Sequence, residues 1–181
     1  MIRLANAGDA HQVAVIYRPN CVESAISFEE VAPDDAAMAL RIEKLNRRFP
    51  WLVDEVDGTV RGYAHASPHR EKAAYRWAVE VTVYIHADHR GQGVGRGLYL
   101  ELFDRLRAQG IVKAYAGILI PNPPSQAFHE SFGFTLVGIY TKIGYKLGAW
   151  RDVGWWQLAL QPEIDSPPEP RTPAHLQEAT P

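Results

Sequence analysis

Apolar residues at Val13, Ile16 and Tyr17 recur at helical spacing behind Asn6 and Asp9, either of which can cap a helix. Pro19 is expected to end that helix, and Ile2–Ala5 ahead of it reads as a short strand. A second helix is expected to open at Pro33-Asp34-Asp35, where proline suits the first turn and the acids suit the positive end of the dipole. It should run to about Arg48, with Pro50 closing the segment. Two β-prone runs, Trp51–Val56 and Val60–Ala66, flank Asp57-Gly58-Thr59, and Asp-Gly between such runs predicts an antiparallel hairpin. Val79–Ile85 is the next strand. Val94, Leu98, Leu102 and Leu106 then stand four residues apart, with Tyr99 and Phe103 widening the stripe and Gly110 as the expected stop. Val112–Ile120 predicts a further strand, Pro123 or Pro124 opens a helix that Gly133 closes, and Phe134–Tyr145 and Val153–Leu160 read as a last pair of strands. The predicted order is β-α-α-β-β-β-α-β-α-β-β, a mixed α/β (α+β) chain.

With 181 residues, 46% of them hydrophobic, the chain fits one globular domain with a sizeable core. The last twenty residues differ in kind. They hold Pro162, Pro167, Pro168, Pro170, Pro173 and Pro181, carry four acids against Arg171, and offer only Ile164 and Leu176 as large aliphatics. The domain is therefore expected to span residues 1–161, and residues 162–181 to form a flexible or surface-draped tail. A net charge of −2 offers no basic surface for nucleic acid, and the apolar runs are too short to span a bilayer. The single cysteine, Cys21, cannot form an internal disulfide and has no motif around it, and the N-terminus lacks a continuous apolar stretch. A packed Cys21 and a cytoplasmic setting are expected.

The run His89–Gly97 places glycine at every second position between a strand and a helix, as a turn that approaches a phosphate requires. A dinucleotide loop would need a glycine three residues after Gly93 or Gly95, where Arg96 and Leu98 stand, and a nucleotide P-loop would need a lysine that the run lacks. What remains, R-G-x-G-x-G over Arg90–Gly95, resembles the pyrophosphate loop of the GNAT superfamily of N-acetyltransferases. The element order over residues 1–160 is similar to that family's, which implies a mixed central sheet of about seven strands flanked by about four helices, and acetyl-CoA as co-substrate.

Five dispersed segments sharpen the resemblance: Phe49-Pro50-Trp51-Leu52-Val53, Glu80-x-Thr82-Val83-Tyr84, Pro121-Asn122-x-x-Ser125, His129-Glu130-x-x-Gly133-Phe134, and the Gly144-Tyr145-Lys146 to Asp152-Val153-Gly154 stretch. In this order they look like the phosphinothricin and methionine sulfoximine acetyltransferase branch. The resemblance implies that Glu80 is the general base and that Val83, Tyr84 and Ile85 pair with the pantetheine arm. It implies that Arg90, Gly91, Gln92, Gly93, Val94, Gly95 and Arg96 hold the pyrophosphate, with Asn122 beside the arm and the substrate pocket and Ser125 as a further coenzyme contact. His129 corresponds to a proposed acid for the departing thiolate. For the substrate, Arg70 matches the branch's binding arginine, with Tyr75 beside it, Arg76 as a second candidate, and Phe28 and Glu29 in a pocket-lining stretch.

The residues alone leave alternatives beside these roles. Glu80 is the single acid on an apolar strand, which suits a base whose pKa burial raises, but an edge glutamate facing water has the same pattern. Asn122 can simply cap the following helix, His129 can be a packed histidine, and Arg70 and Arg76 can be solvent-facing. His65 with His69 and His86 with His89 lack a second set of ligands at metal spacing, so no metal is expected. Adjacent Trp155 and Trp156 point to opposite faces of a strand, and with Tyr145 and Trp150 they suggest a subunit interface, unless the tail covers the second ring. The branch implies a homodimer. The expected function is transfer of acetyl from acetyl-CoA to the α-amino group of phosphinothricin, methionine sulfoximine or methionine sulfone. Acetylation of another small amine, or a catalytically silent coenzyme-A sensor, are the alternatives.

Overall fold

In the computed structural model, which describes residues 1–173, seven strands form one mixed sheet in the order β1-β2-β3-β4-β5-β7-β6. The strands are β1 (Ile2–Leu4), β2 (Trp51–Val56), β3 (Thr59–Pro68), β4 (Ala78–Ile85), β5 (Lys113–Ile120), β6 (Thr135–Lys146) and β7 (Ala149–Ala159). Four helices accompany them: α1 (Ala10–Val22), α2 (Asp35–Asn46), α3 (Val94–Gln109) and α4 (Pro123–Glu130). Asp57 and Gly58 both adopt positive φ (49° and 78°), the backbone that a tight β2–β3 hairpin demands and that Asp-Gly accepts at low cost.

β4 carries the division of labour in the fold. Val79 and Val81 face one side, where they pack with Leu98, Leu102 and Leu106 of α3. On the other side, a separate cluster joins Val13, Ile16, Met38 and Ile42 of α1 and α2 to Trp51, Val53 and Tyr63. The alternation of the strand thus sends Glu80, Thr82 and Tyr84 to the face opposite α3. Among the described residues β4 and β5 are the only parallel neighbours, and they pair at Ala78 with Lys113, Val79 with Ala114 and Glu80 with Tyr115. Beyond Glu80 the two strands separate, so that the β5-facing edge of Val81–Ile85 has backbone groups free for a ligand.

Three boundaries differ from the sequence expectation. Pro19 lies inside α1 rather than ending it. The carbonyl whose partner it removes belongs to Val15, a 44% exposed residue that water can reach. α2 stops at Asn46, short of Arg48, because the Asn46 side chain turns to bridge the Ala5 carbonyl and the Trp51 amide at 2.8 Å each. β7 begins at Ala149, ahead of Val153, since Leu147 and Gly148 at φ 52° and 73° complete the turn within two residues.

The proline-rich segment lies along the surface as far as Arg171. Glu163 pairs with Lys113 at 2.6 Å, Trp77 donates to the Pro168 carbonyl at 2.8 Å, and Glu169 pairs with Arg76 at 2.7 Å. Arg171 exchanges backbone and side-chain bonds with Gln109 and Ala108 at the end of α3. Residues 174–181, the remainder of the expected tail, lie outside the described residues.

His65 on β3 stacks on Trp51 at 4.2 Å, and burial lowers its pKa to about 4. The native imidazole stays neutral, whereas in the unfolded chain it takes up a proton near pH 6.5. Stability should therefore fall as pH drops from 6.5 towards 4, by about 3 kcal/mol in all. Urea denaturation at pH 7 and pH 4.5 measures this, and His65→Gln should flatten that part of the dependence.

Candidate active site

Of the cavities that border β4, two share Ile26. The larger, about 640 Å³, is lined by Val83, Tyr84 and Ile85, by the loop residues Arg90, Gly91, Gly93, Val94, Gly95 and Arg96, and by Asn122, Ser125 and His129. Gly91 and Gly93 adopt left-handed backbone (φ 73° and 80°), and α3 starts at Val94 with no side chain capping it. Its first N–H groups are left for an anion, and the dipole favours one. This arrangement fits the pyrophosphate of a coenzyme, and the open edge of β4 fits an amide-bearing arm. Gln92 alone among the expected coenzyme residues does not line the cavity; it donates to the Asp88 carbonyl at 2.9 Å and braces the turn. Asn20, Ile26, His89, Pro124 and Phe128 complete the lining. Periodicity gave no signal for the first two, which lie on α1 and the loop after it.

Asn122 caps α4 by accepting from the Ser125 amide at 3.3 Å, and it stands in the coenzyme cavity while doing so. It does not line the Glu80 cavity. His129 is 5% exposed, and burial holds its pKa below the usual imidazole range. Its Nδ1 lies 2.7 Å from the Ser125 carbonyl, which can only accept, so Nδ1 carries the proton. Nε2 then accepts from the Tyr99 hydroxyl at 3.0 Å. Both nitrogens are occupied within the protein, which fits the packed reading of His129 and leaves it no free N–H for a thiolate.

The second cavity, about 380 Å³, is lined by Glu80, Thr82, Ile26, Phe28, Gly117, Leu119, Tyr140, Ile143, Val153 and Trp155, with Val81. The Glu80 side chain is 31% exposed. Burial raises its pKa above the ordinary carboxylate range, and the Arg70 guanidinium partly offsets this. Oε1 meets both His69 Nδ1 and Arg70 Nη1 at 3.2 Å, while Oε2 has no protein partner among the described residues. Glu80 is therefore held at one oxygen and free at the other. Arg70 also lies over the Trp155 ring at 5.9 Å.

Arg76 and Tyr75 are drawn elsewhere. Arg76 is committed to Glu169, to the Ala73 carbonyl and to the face of Trp77 at 4.0 Å, away from the Glu80 group. Tyr75 borders the groove under Glu163, Ile164 and Pro167, with its ring edge-on to His69 at 6.0 Å. Glu29 is tied to Arg41 by two bonds of 2.7 and 2.9 Å. Phe28 does line the Glu80 cavity; it lies against Gly144, where a β-carbon would overlap its ring. Lys146, 4% exposed, donates to the carbonyls of Cys21, Ser27 and Glu29 and fixes the loop that carries Phe28 and Ile26. Among the described residues no group of three or more His, Cys, Asp or Glu side chains could hold a metal ion.

A seven-stranded sheet splayed after Glu80, with a left-handed glycine turn feeding an uncapped helix at the splay, defines an acyl-coenzyme-A transferase site. Residues 2–155 match the Acetyltransferase (GNAT) domain family, and the chain belongs to it. Within the family it is an N-acetyltransferase of the phosphinothricin and methionine sulfoximine branch. It is 39% identical over 172 residues to a phosphinothricin N-acetyltransferase of Streptomyces viridochromogenes, covering 95% of this chain and 93% of that protein. It is 34% identical over 160 residues to an L-methionine sulfoximine/L-methionine sulfone acetyltransferase of Salmonella typhimurium, covering 88% and 94%. A phosphinothricin acetyltransferase from Sinorhizobium meliloti, solved with acetyl-CoA, superposes with a TM-score of 0.83 at 36% identity over 88% of this chain and 87% of that one.

Proposed function

We propose that this enzyme acetylates the α-amino group of a small amino acid analogue bearing a tetrahedral oxidised phosphorus or sulfur, as in phosphinothricin, methionine sulfoximine and methionine sulfone. The observation that carries this reading is Glu80: raised in pKa, anchored through Oε1, and free at Oε2 in a cavity that adjoins the coenzyme cavity along one strand. Glu80 takes a proton from the substrate ammonium, and the neutral amine attacks the thioester carbonyl directly. The C–N bond forms as the C–S bond breaks, and the second proton that the nitrogen loses on becoming an amide passes through water to the departing thiolate. A backbone N–H on the open edge of β4 polarises the carbonyl. Arg70 stands where a guanidinium can grip a carboxylate or phosphinyl oxygen in a two-pronged way. Acetyl-CoA is held by the glycine turn and α3, with no metal required, and the enzyme works in the cytoplasm.

Thiol release measured across phosphinothricin, methionine sulfoximine, methionine sulfone, the ordinary amino acids and polyamines tests the substrate class. Turnover confined to polyamines would sink it. Thermal stabilisation by acetyl-CoA without thiol release from any amine would instead mark a sensor.

We also infer a homodimer. β6 is an edge strand, and its hairpin with β7 exposes Val137 (56%), Ile143 (55%), Tyr145 (59%) and Trp150 (60%). Several large apolar side chains exposed on an edge hairpin call for a partner. Trp155 needs neither partner nor tail, since it packs on Gly117 within the Glu80 cavity. Light scattering should give a dimer at micromolar concentration for the full chain and for the chain cut after Leu160, and a monomer for Trp150→Lys. A monomeric full chain would refute the interface.

A further inference from the structure

Glu80 has an unassigned neighbour. β3 pairs with β4 as far as Pro68, opposite Val79, and the His69 amide extends the ladder towards the Ala78 carbonyl at 3.5 Å. That backbone path returns the His69 ring over the strand, with Nδ1 at 3.2 Å from Glu80 Oε1. The ring stacks on Tyr115 (4.5 Å between centroids, 21° between planes), which stands opposite Glu80 in the β4–β5 register. Tyr75 and Trp155 meet it edge-on at 6.0 and 5.8 Å. Three aromatic rings thus fix its orientation. The His69 side chain keeps 16% of its surface exposed, and its Nε2 has no protein partner among the described residues. The charged and titratable groups around it are Glu80 on β4, Arg70 beside it, Tyr75 ahead of β4 and Tyr115 on β5. Burial, and then the Arg70 charge, hold the imidazole below its ordinary pKa, in the neutral form that can accept a proton.

An imidazole with one nitrogen on a carboxylate and the other unpartnered has two ends through which a proton can pass. We propose that His69 is the relay that empties Glu80 after each deprotonation of the substrate ammonium, moving the proton from the buried carboxyl to solvent. This rests on the reading of Glu80 as the base. The ammonium N–H bond breaks and an O–H bond forms on Glu80. That proton moves to His69 Nδ1, restoring the carboxylate and giving an imidazolium, which loses one proton to water. No electrons change hands, and each turnover delivers one proton to solvent. His69 acts through Glu80 and holds it in place between turnovers.

The test uses His69→Phe, which preserves the stack on Tyr115, and His69→Gln, which preserves a polar contact to Oε1 but cannot titrate. Both should lose about a hundredfold in kcat, with KM for acetyl-CoA and amine within twofold of the parent and with the acidic limb of the pH profile one proton less steep. Added imidazole should restore activity in proportion to its concentration. Wild-type kcat in His69→Gln would show that His69 only holds the carboxylate, and a loss insensitive to imidazole with an unchanged pH profile would show a packing role; either overturns the relay. If His69→Phe does not fold, His69→Gln decides. Glu80→Gln measured alongside separates the two readings. Full activity in Glu80→Gln, or no turnover of any amine by the parent, overturns base and relay together, whereas a dead Glu80→Gln beside normal His69 variants overturns the relay alone.

Discussion

Glu80→Gln is expected to lower kcat by about 10²–10⁴, the range for a lost general base, with acetyl-CoA affinity nearly unchanged. The amide has the shape of the carboxyl, and its oxygen can accept from Arg70 as Oε1 does now. Burial already disfavours the charged form of Glu80, so a neutral isostere does not threaten the fold. The substitution thus removes proton affinity and little else. Steady-state kinetics together with acetyl-CoA titration check it, and full activity would strip Glu80 of the role.

Gly93→Val should do the reverse, weakening acetyl-CoA binding by about a hundredfold while the fold persists. A β-carbon at Gly93 would meet nothing within 4 Å, so the damage is not a collision. It lies in the backbone: φ of 80° costs a β-branched residue roughly 1–2 kcal/mol. The turn escapes that cost by swinging its amides off the phosphate, and a hydrogen bond to a charged group is itself worth about 1.5–3 kcal/mol. Isothermal titration against acetyl-CoA measures the effect, and parental affinity in the variant would count against the loop as the pyrophosphate site.

What could be read from the chain was what short-range rules determine. The apolar stripe Val94–Leu106, the Asp57-Gly58 turn and the glycines before α3 each state their structure within a few residues, and the structure agrees at all three. Boundaries slipped where a distant group intervened: α2 ends early because Asn46 is claimed by Ala5 and Trp51. The environment of Glu80 was hidden for the same reason. His69, Tyr115 and Trp155 converge on it only through the β4–β5 register and through the packing of Trp155 on Gly117, which no local pattern announces. Arg76 had the right charge near the right strand, and a glutamate 93 positions later claims it.

Lys146 gives the site a property beyond geometry. Its ammonium is buried among three carbonyls of the segment Cys21–Glu29, a set of bonds that dissolved salt cannot readily replace. Those bonds join the hairpin tip and that segment into one piece. Ile26, on that piece, is a wall of both cavities. On the proposed assignment of the two cavities, a ligand that shifts Ile26 in one reshapes the other, and linkage then requires coenzyme and amine to alter each other's affinity by the same factor.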